Sequence, residues 1–214
     1  MYIPQAFRSD DPAQLDRLAA HNAFGTLVSQ SGGAPFASHL PVLYRREQAH
    51  VTLTGHWARA NPQWREIEGQ RALFIFHGPH AYISPRWYVE PARNVPTWNY
   101  VVAHVYGQVR VIHDTAELER IVTSLAAQYE AGARQPWRFE ETGAAARARL
   151  TAIVGFELAA DEVQVKMKLS QNHVAGNVRG AAEGLRGVGS TDAREVADSM
   201  EEALASKPTP DGPS

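Results

Sequence analysis

The longest regular pattern in the chain runs through residues 101–112. Val101, Ala103, Val105, Gly107, Val109 and Val111 alternate with Val102, His104, Tyr106, Gln108, Arg110 and Ile112. One face is small and apolar and the other largely polar or aromatic. A period of two sustained this long predicts a strand of an antiparallel barrel, because a strand buried on both faces of a parallel sheet has no polar face. Further β-rich runs at 26–30, 35–44, 50–55, 71–77, 151–158 and 162–167 are broken by glycine, proline and charge.

The period changes to that of a helix in five places. Asp11 and Pro12 form an N-cap with proline at the first helical position, ahead of Leu15, Leu18 and Ala19. Asp114 with Glu117 three residues on reads as a capping box before Leu118, Ile121, Val122, Leu125 and Tyr129. A third helix is predicted over 61–68 and two more near 174–185 and 191–205. The stretch 132–143 reads as irregular. The expected fold class is therefore α+β, mainly β: a split barrel over 1–170, a helical segment over 171–206 and a disordered tail (KPTPDGPS) over 207–214. No internal repeat, dinucleotide fingerprint, P-loop or nucleophile elbow is present in the sequence.

Composition narrows the chemistry. The 214 residues contain no cysteine, which removes disulfides, zinc–thiolate sites, iron–sulfur clusters and cysteine nucleophiles. A net charge of −2 gives no global attraction to DNA or to anionic lipid. No apolar run approaches the roughly 20 residues of a membrane helix. The first residues lack the basic-then-apolar pattern of a secretory signal, so a cytoplasmic protein is expected.

Four clusters offer groups for binding. In the first, Thr54-Gly55-His56-Trp57-Ala58-Arg59-Ala60-Asn61-Pro62, a strand ends, glycine permits a turn and a helix start presents backbone N–H groups beside Arg59. That set reads either as a phosphate cradle or as a capped helix with a solvated arginine. The second, His77 through Tyr88, reads as an aromatic loop that walls a pocket or plugs a barrel end. Its His77 and His80 have no carboxylate among them to complete a metal site. The third, Trp98-Asn99-Tyr100, offers a stacking surface, an amide and a phenol, or plain barrel packing. In the fourth, Lys166 and Lys168 share a strand face ahead of Ser170, Gln171 and Asn172, which suits an anion, an electron-rich ring edge or a solvated strand end.

Taken in order along the chain, these clusters resemble the PaiB family. The resemblance is carried by Met1-Tyr2-Ile3-Pro4, Ser38-His39-Leu40-Pro41, Gly55 through Trp64, Gly78 through Pro85, Val95 through Tyr100 and Lys166 through Asn172. It implies an FMN-binding split β-barrel, related in fold to pyridoxamine phosphate oxidase, that forms a homodimer with FMN at the subunit interface. It further implies that Ser38, His39, Leu40, Thr54, His56, Ala58 and Arg59 meet the cofactor's phosphate, ribityl chain and one ring edge. Trp98, Asn99, Tyr100, Lys168 and Gln171 would close the pocket, from the same chain or from the partner. No catalytic residue and no metal site are assigned. Two departures stand out: Ala58-Arg59-Ala60 replaces the serine–arginine–lysine run of the oxidases, and Pro41 interrupts the flanking strand.

The family is named for a negative transcriptional regulator, so the implied output is gene regulation with flavin as ligand or redox sensor. The alternatives are a flavin reductase or small-molecule oxidoreductase of the same fold, and a structural dimer with an empty barrel. Fold alone does not choose among them. Direct DNA binding has only the C-terminal helical pair as a candidate, and Asp198, Glu201 and Glu202 make its last helix acidic.

Overall fold

The structure is a computed structural model and describes residues 1–206; the tail expected over 207–214 lies outside the described residues. Eight strands are formed: β1 (Arg8–Ser9), β2 (Phe24–Ser31), β3 (Ala34–Pro41), β4 (Leu43–Glu47), β5 (His50–Ala58), β6 (Arg71–Ile83), β7 (Thr97–Ile112) and β8 (Ile153–Lys168). They are hydrogen-bonded in the order β3-β2-β6-β7-β8-β5-β4, with β1 on β8. The registered pairs are antiparallel, with Leu27 opposite Ser38 and Trp57 opposite Val154. The helices are α1 (Pro12–His21), α2 (Thr115–Glu130), α3 (Ala144–Ala148), α4 (Ala175–Val188) and α5 (Thr191–Ala205).

Several strands run further than their sequence signals. β6 passes through Gly78 and Pro79, where a loop was expected, because proline's φ suits an extended chain and only one N–H is lost. The runs 151–158 and 162–167 join into the single strand β8. Its central acids do not make a turn; Arg71 donates to Asp161 at 2.8 Å and to Glu162 at 2.8 Å, which keeps both charges on the strand. The run 35–44 divides instead. Val42 is fully buried and its N–H donates to the Ala23 carbonyl at 3.0 Å, outside the sheet ladder. The helix expected over 61–68 is only a 3₁₀ turn, Pro62–Arg65, and α3 had no counterpart in the sequence reading.

The chain forms two compact units. The first comprises Met1–Asp11, His77–Ala103 and the chain from Gln164 onward; the second comprises Pro12–Phe76 and His104–Val163. In the second unit Leu27, Leu53, Trp57, Phe74, Phe76, Phe156 and Leu158 are completely buried. Phe74 meets Phe76 edge-on at 4.8 Å, and Trp57 packs on Phe156 at 4.7 Å. A further apolar cluster lies beneath α2, where Leu118, Ile121 and Leu125 pack with Ile112, Phe139 and Leu150. Asp114 caps this helix as expected, accepting from the Glu117 N–H at 2.9 Å.

In the first unit, α4 and α5 face each other through Val178, Ala181, Ala182 and Leu185 on one side and Ala193, Val196, Ala197 and Met200 on the other. Gly189 joins them with φ at 83°, a left-handed conformation that glycine adopts without a Cβ clash. Ser190 then caps α5 by accepting from the Ala193 N–H. The opposite side of α4 receives Trp87. A Cβ on Gly180 would lie 2.2 Å from the Trp87 carbonyl oxygen, and one on Gly184 would lie 2.3 Å from the Trp87 ring.

This contact reverses the usual effect of glycine in a helix. Glycine to alanine in an open helix gains up to about 1 kcal/mol, whereas forcing a methyl group into a filled space costs about 1–3 kcal/mol. Gly184→Ala is therefore expected to lower the melting temperature. Gly187→Ala is the control, because nothing lies within 4 Å of a Cβ there. It should hold or raise the melting temperature. Equal effects in thermal denaturation would show that Trp87 does not seat on α4.

Candidate functional site

Strand β5 sorts its residues by face. Val51, Leu53, Gly55 and Trp57 are buried, while Thr52, Thr54, His56 and Ala58 alternate with them on the other side. Three implied cofactor contacts, Thr54, His56 and Ala58, are thereby brought onto one surface. Gly55 does not make the turn expected of it. It sits within the strand, and an added Cβ would lie 2.8 Å from the Phe156 ring and 3.0 Å from the Pro41 carbonyl oxygen. Its missing side chain makes room for the end of β3.

His56 is the least satisfied polar group on this face. Its Nδ1 is buried and, among the described residues, has no hydrogen-bond partner. Burial pulls its pKa below the usual 6.5, so the ring is neutral at neutral pH. Neutral imidazole carries one donor and one acceptor, so a ligand offering either kind of group can complete it.

Arg59 follows directly and is exposed. Its guanidinium donates to two backbone carbonyls, from Nε to Thr151 O at 2.5 Å and from Nη2 to Ile153 O at 2.9 Å. Of the five N–H groups of a guanidinium this leaves three for another partner. The backbone cradle expected beside it is not there. The Arg59 N–H donates to the Ala152 carbonyl, that of Asn61 to the Ala58 carbonyl, and that of Gln63 to Asn61 Oδ1. These three donors are spent within the chain, the first on Ala152 and the other two on the turn, so they are not left for a phosphate.

On β3, Ser38 is buried and its Oγ accepts from Asn61 Nδ2 at 2.8 Å. Its own proton is left to donate. His39 points to the other face, where its Nδ1 lies 3.1 Å from Thr26 Oγ1, and Leu40 is half-buried. The residue that positions this region was not singled out from sequence. Gln63 is completely buried; the two hydrogens of its Nε2 are shared among Leu27 O, Ser29 Oγ and Phe36 O, and its Oε1 accepts from Trp57 Nε1 at 3.0 Å. A lone glutamine beside a tryptophan gives no sequence signal of burial, because glutamine is usually exposed.

The other five implied contacts belong to the first unit. Trp98 is exposed and packs against His80 and Tyr82, with ring centres 6.2 and 6.1 Å away. Lys168 donates to Thr97 Oγ1 at 2.5 Å. Tyr100 lies beside Lys166, whose Nζ is 5.2 Å from the ring centre. Lys166 is buried and donates to the Tyr2 carbonyl at 3.1 Å.

Asn99 and Gln171 both make side-chain contacts within the first unit. Asn99 is completely buried; its Nδ2 donates to Ser170 Oγ at 3.0 Å and contacts Met200 Sδ at 3.2 Å, while its Oδ1 accepts from Ser170. That side chain is closed to a ligand arriving from solvent. Gln171 folds back on its own turn, accepting from the Leu169 N–H and donating to the Met167 carbonyl. Ser170 between them holds φ at 63°, and these hydrogen bonds keep it there.

The donor set of the second unit suits a flavin mononucleotide. The cofactor carries a phosphate, ribityl hydroxyls and ring carbonyl and nitrogen acceptors. Ser38 retains a hydroxyl proton, Arg59 retains N–H groups, and His56 presents a buried ring nitrogen that nothing among the described residues completes.

Comparison with known proteins agrees. The sequence profile of the family described as "Putative FMN-binding domain" matches residues 1–162. Over 206 residues, covering 95% of this chain and 98% of the relative, the sequence is 35% identical to "Protease synthase and sporulation protein PAI 2" of Bacillus subtilis. An uncharacterized protein of Emericella nidulans is 27% identical across 94% of this chain and 97% of that one. Among solved structures, the chain is similar to the flavocytochrome Anf3 of Azotobacter vinelandii, with a TM-score of 0.58, 15% identity, and coverage of 78% of this chain and 72% of that one. It is also similar to an FAD and heme binding protein of Mycobacterium smegmatis, with a TM-score of 0.55, 20% identity, and coverage of 75% and 73%. At these identities the two structures establish the fold, the flavin-binding split barrel of α+β class that the sequence resemblance implied. The chain belongs to the PaiB family of FMN-binding split-barrel proteins.

Proposed function

We propose that this protein is a cytoplasmic homodimer that holds FMN through Ser38, His56 and Arg59 and acts as a flavin-responsive negative regulator. The observation that carries the FMN site is the buried, partnerless Nδ1 of His56 on the same face as Thr54 and Ala58. Bound FMN supplies reversible one- and two-electron chemistry, which suits either a redox sensor or an oxidoreductase. The chain's own contribution is to orient the flavin through Ser38, to offer His56 a hydrogen-bonding role in its neutral form, and to meet the phosphate with the free edge of Arg59. Trp98, Tyr100 and Lys168 are the proposed closing contacts. Support for the regulatory reading comes from the full-length likeness to the sporulation-associated relative.

One observation favours the oxidoreductase alternative. Of the helical pair that direct DNA binding would use, α5 exposes Glu195, Asp198, Glu201 and Glu202 against a single Arg194. Arg186 of α4 is itself engaged with Asp198 and Glu201. Such a face repels phosphates rather than neutralising them. Pure protein should therefore show no salt-sensitive, sequence-dependent shift of DNA from its own control region. A nanomolar shift would establish direct repression through another surface.

FMN binding is tested by fluorescence quenching, with mass by light scattering in the same samples. Arg59→Ala should weaken FMN roughly tenfold to a hundredfold, the effect of losing one charge-assisted hydrogen bond. It should leave riboflavin, which lacks the phosphate, nearly unaffected. The ligand-free melting temperature should also fall, because Arg59 holds the carbonyls of Thr151 and Ile153. Equal losses for FMN and riboflavin would remove Arg59 from the phosphate.

His56 predicts a pH dependence. Its pKa in the folded chain lies below the unfolded value of 6.5. Below that pH the unfolded chain binds the proton more readily than the native one. Stability is thus complete above about pH 6.5 and is lost as pH falls. Thermal melts between about pH 7 and pH 5 should slope less in His56→Gln than in the unsubstituted protein. Parallel slopes would mean that the ring takes up its proton over the same pH range in the folded and unfolded chains, so that burial does not lower its pKa.

A further inference from the structure

The first unit contains a half-buried histidine that the flavin reading does not use. His173 lies flat on the ring of Tyr88, with ring centres 4.8 Å apart and planes 24° from parallel. Its Nδ1 is 3.3 Å from Nδ2 of Asn177, four residues on. Burial and the nearby Lys168 ammonium hold the ring's pKa below 6.5, so it is neutral at neutral pH. Among the described residues no carboxylate faces it to offset that effect. Tyr88 does not compete for the proton, because burial pushes its phenol above the usual 10.

The orientation of the Asn177 amide is set from its other side. Its Oδ1 accepts from the Val89 N–H at 2.9 Å, so the end turned to His173 is the NH2 group. An NH2 group only donates, and Nδ1 accepts from it only while unprotonated. In imidazolium both ring nitrogens donate, so the two groups oppose each other. Asn177 is buried, which keeps water from taking the place of either partner. The amide then turns its oxygen to the ring, and the Val89 N–H loses its acceptor. Val89 is 70% exposed, so water can meet that N–H once it is free. From Glu90 to Asn94 the hydrogen bonds among the described residues are internal to the loop, with Arg93 and Asn94 both bonding Glu90. The Asn177 contact is therefore the hydrogen bond that fastens this loop to α4. We propose that Asn177 makes His173 a pH switch for the loop: the neutral ring fastens it to α4 and the protonated ring releases it. The fastened state is complete above about pH 6.5 and is lost as pH falls through the folded pKa. This switch is independent of the flavin reading.

The test is nuclear magnetic resonance of the full chain between about pH 7.5 and about pH 5. The His173 ring and the Val89 amide should titrate with one shared midpoint below 6.5. Across it, protection of the Val89 amide from hydrogen exchange, corrected for the intrinsic pH dependence, should fall about two- to tenfold, as loss of one hydrogen bond requires. His173→Gln offers Asn177 a carbonyl acceptor at every pH and should leave the Val89 amide bonded throughout. Asn177→Asp presents an acceptor on both sides. There the His173 midpoint should rise above 6.5, and Val89 should stay bonded in both states of the ring. The proposal is overturned if the ring titrates while Val89 does not respond, or if the ring stays neutral down to about pH 5. It is likewise overturned if Val89 still responds in His173→Gln or is released by acid in Asn177→Asp, because another group would then be the source.

Discussion

The buried side-chain amide of Gln63 is the contact on which the arrangement of the second unit depends. One residue satisfies the Leu27 and Phe36 carbonyls, the Ser29 hydroxyl and the Trp57 indole N–H, so it ties β2, β3 and β5 to one point. Each of these groups left unpaired in the interior would cost about 1–3 kcal/mol. The arrangement is therefore close to all-or-none. It fixes Trp57 on the inner face of β5, and by alternation that puts Thr54, His56 and Ala58 on the outer face. The turn that presents Gln63 also carries Asn61, which holds Ser38. Position at the candidate site is thus inherited from a residue that touches no ligand.

The first unit shows the same economy with different groups. Asn99, Ser170 and Met200 join β7, the turn after β8 and α5 through one buried contact set. Trp87 occupies the groove left by Gly180 and Gly184 on α4. Polar side chains that look like ligand contacts in a motif here serve the backbone. The groups that remain uncommitted differ in kind: an exposed tryptophan, a histidine ring with one idle nitrogen, and an arginine with part of its fork free. It is among those that binding is to be sought, because a group already satisfied in the interior gains little by changing partner.

The candidate site was legible in part. The stretch around Thr54, His56 and Arg59 carries chemistry by residue type, and its strand alternation sets which side chains share a face. The choice between a phosphate cradle and a capped helix was not legible, because Asn61-Pro62 has the form of a helix start, whereas the chain makes only one 3₁₀ turn there. The burial of Asn99 was not legible, because an amide among aromatics reads the same on a surface and in a core. Gln63 went unmarked for the opposite reason, since glutamine is rarely buried.

What the sequence determined by itself was what depends on neighbours along the chain. The two-residue period of β7, the Asp114 cap and the span of α5 are local preferences that tertiary contacts reinforced. Tertiary structure alone decided what depends on distant partners. β8 stays one strand through Asp161 and Glu162 because Arg71, 90 residues away in sequence, receives both charges. β3 ends at Pro41 because the next amide finds the Ala23 carbonyl. Hydrogen bonds and charges are satisfied by whichever group the fold brings within about 3 Å, and sequence order does not state which group that will be.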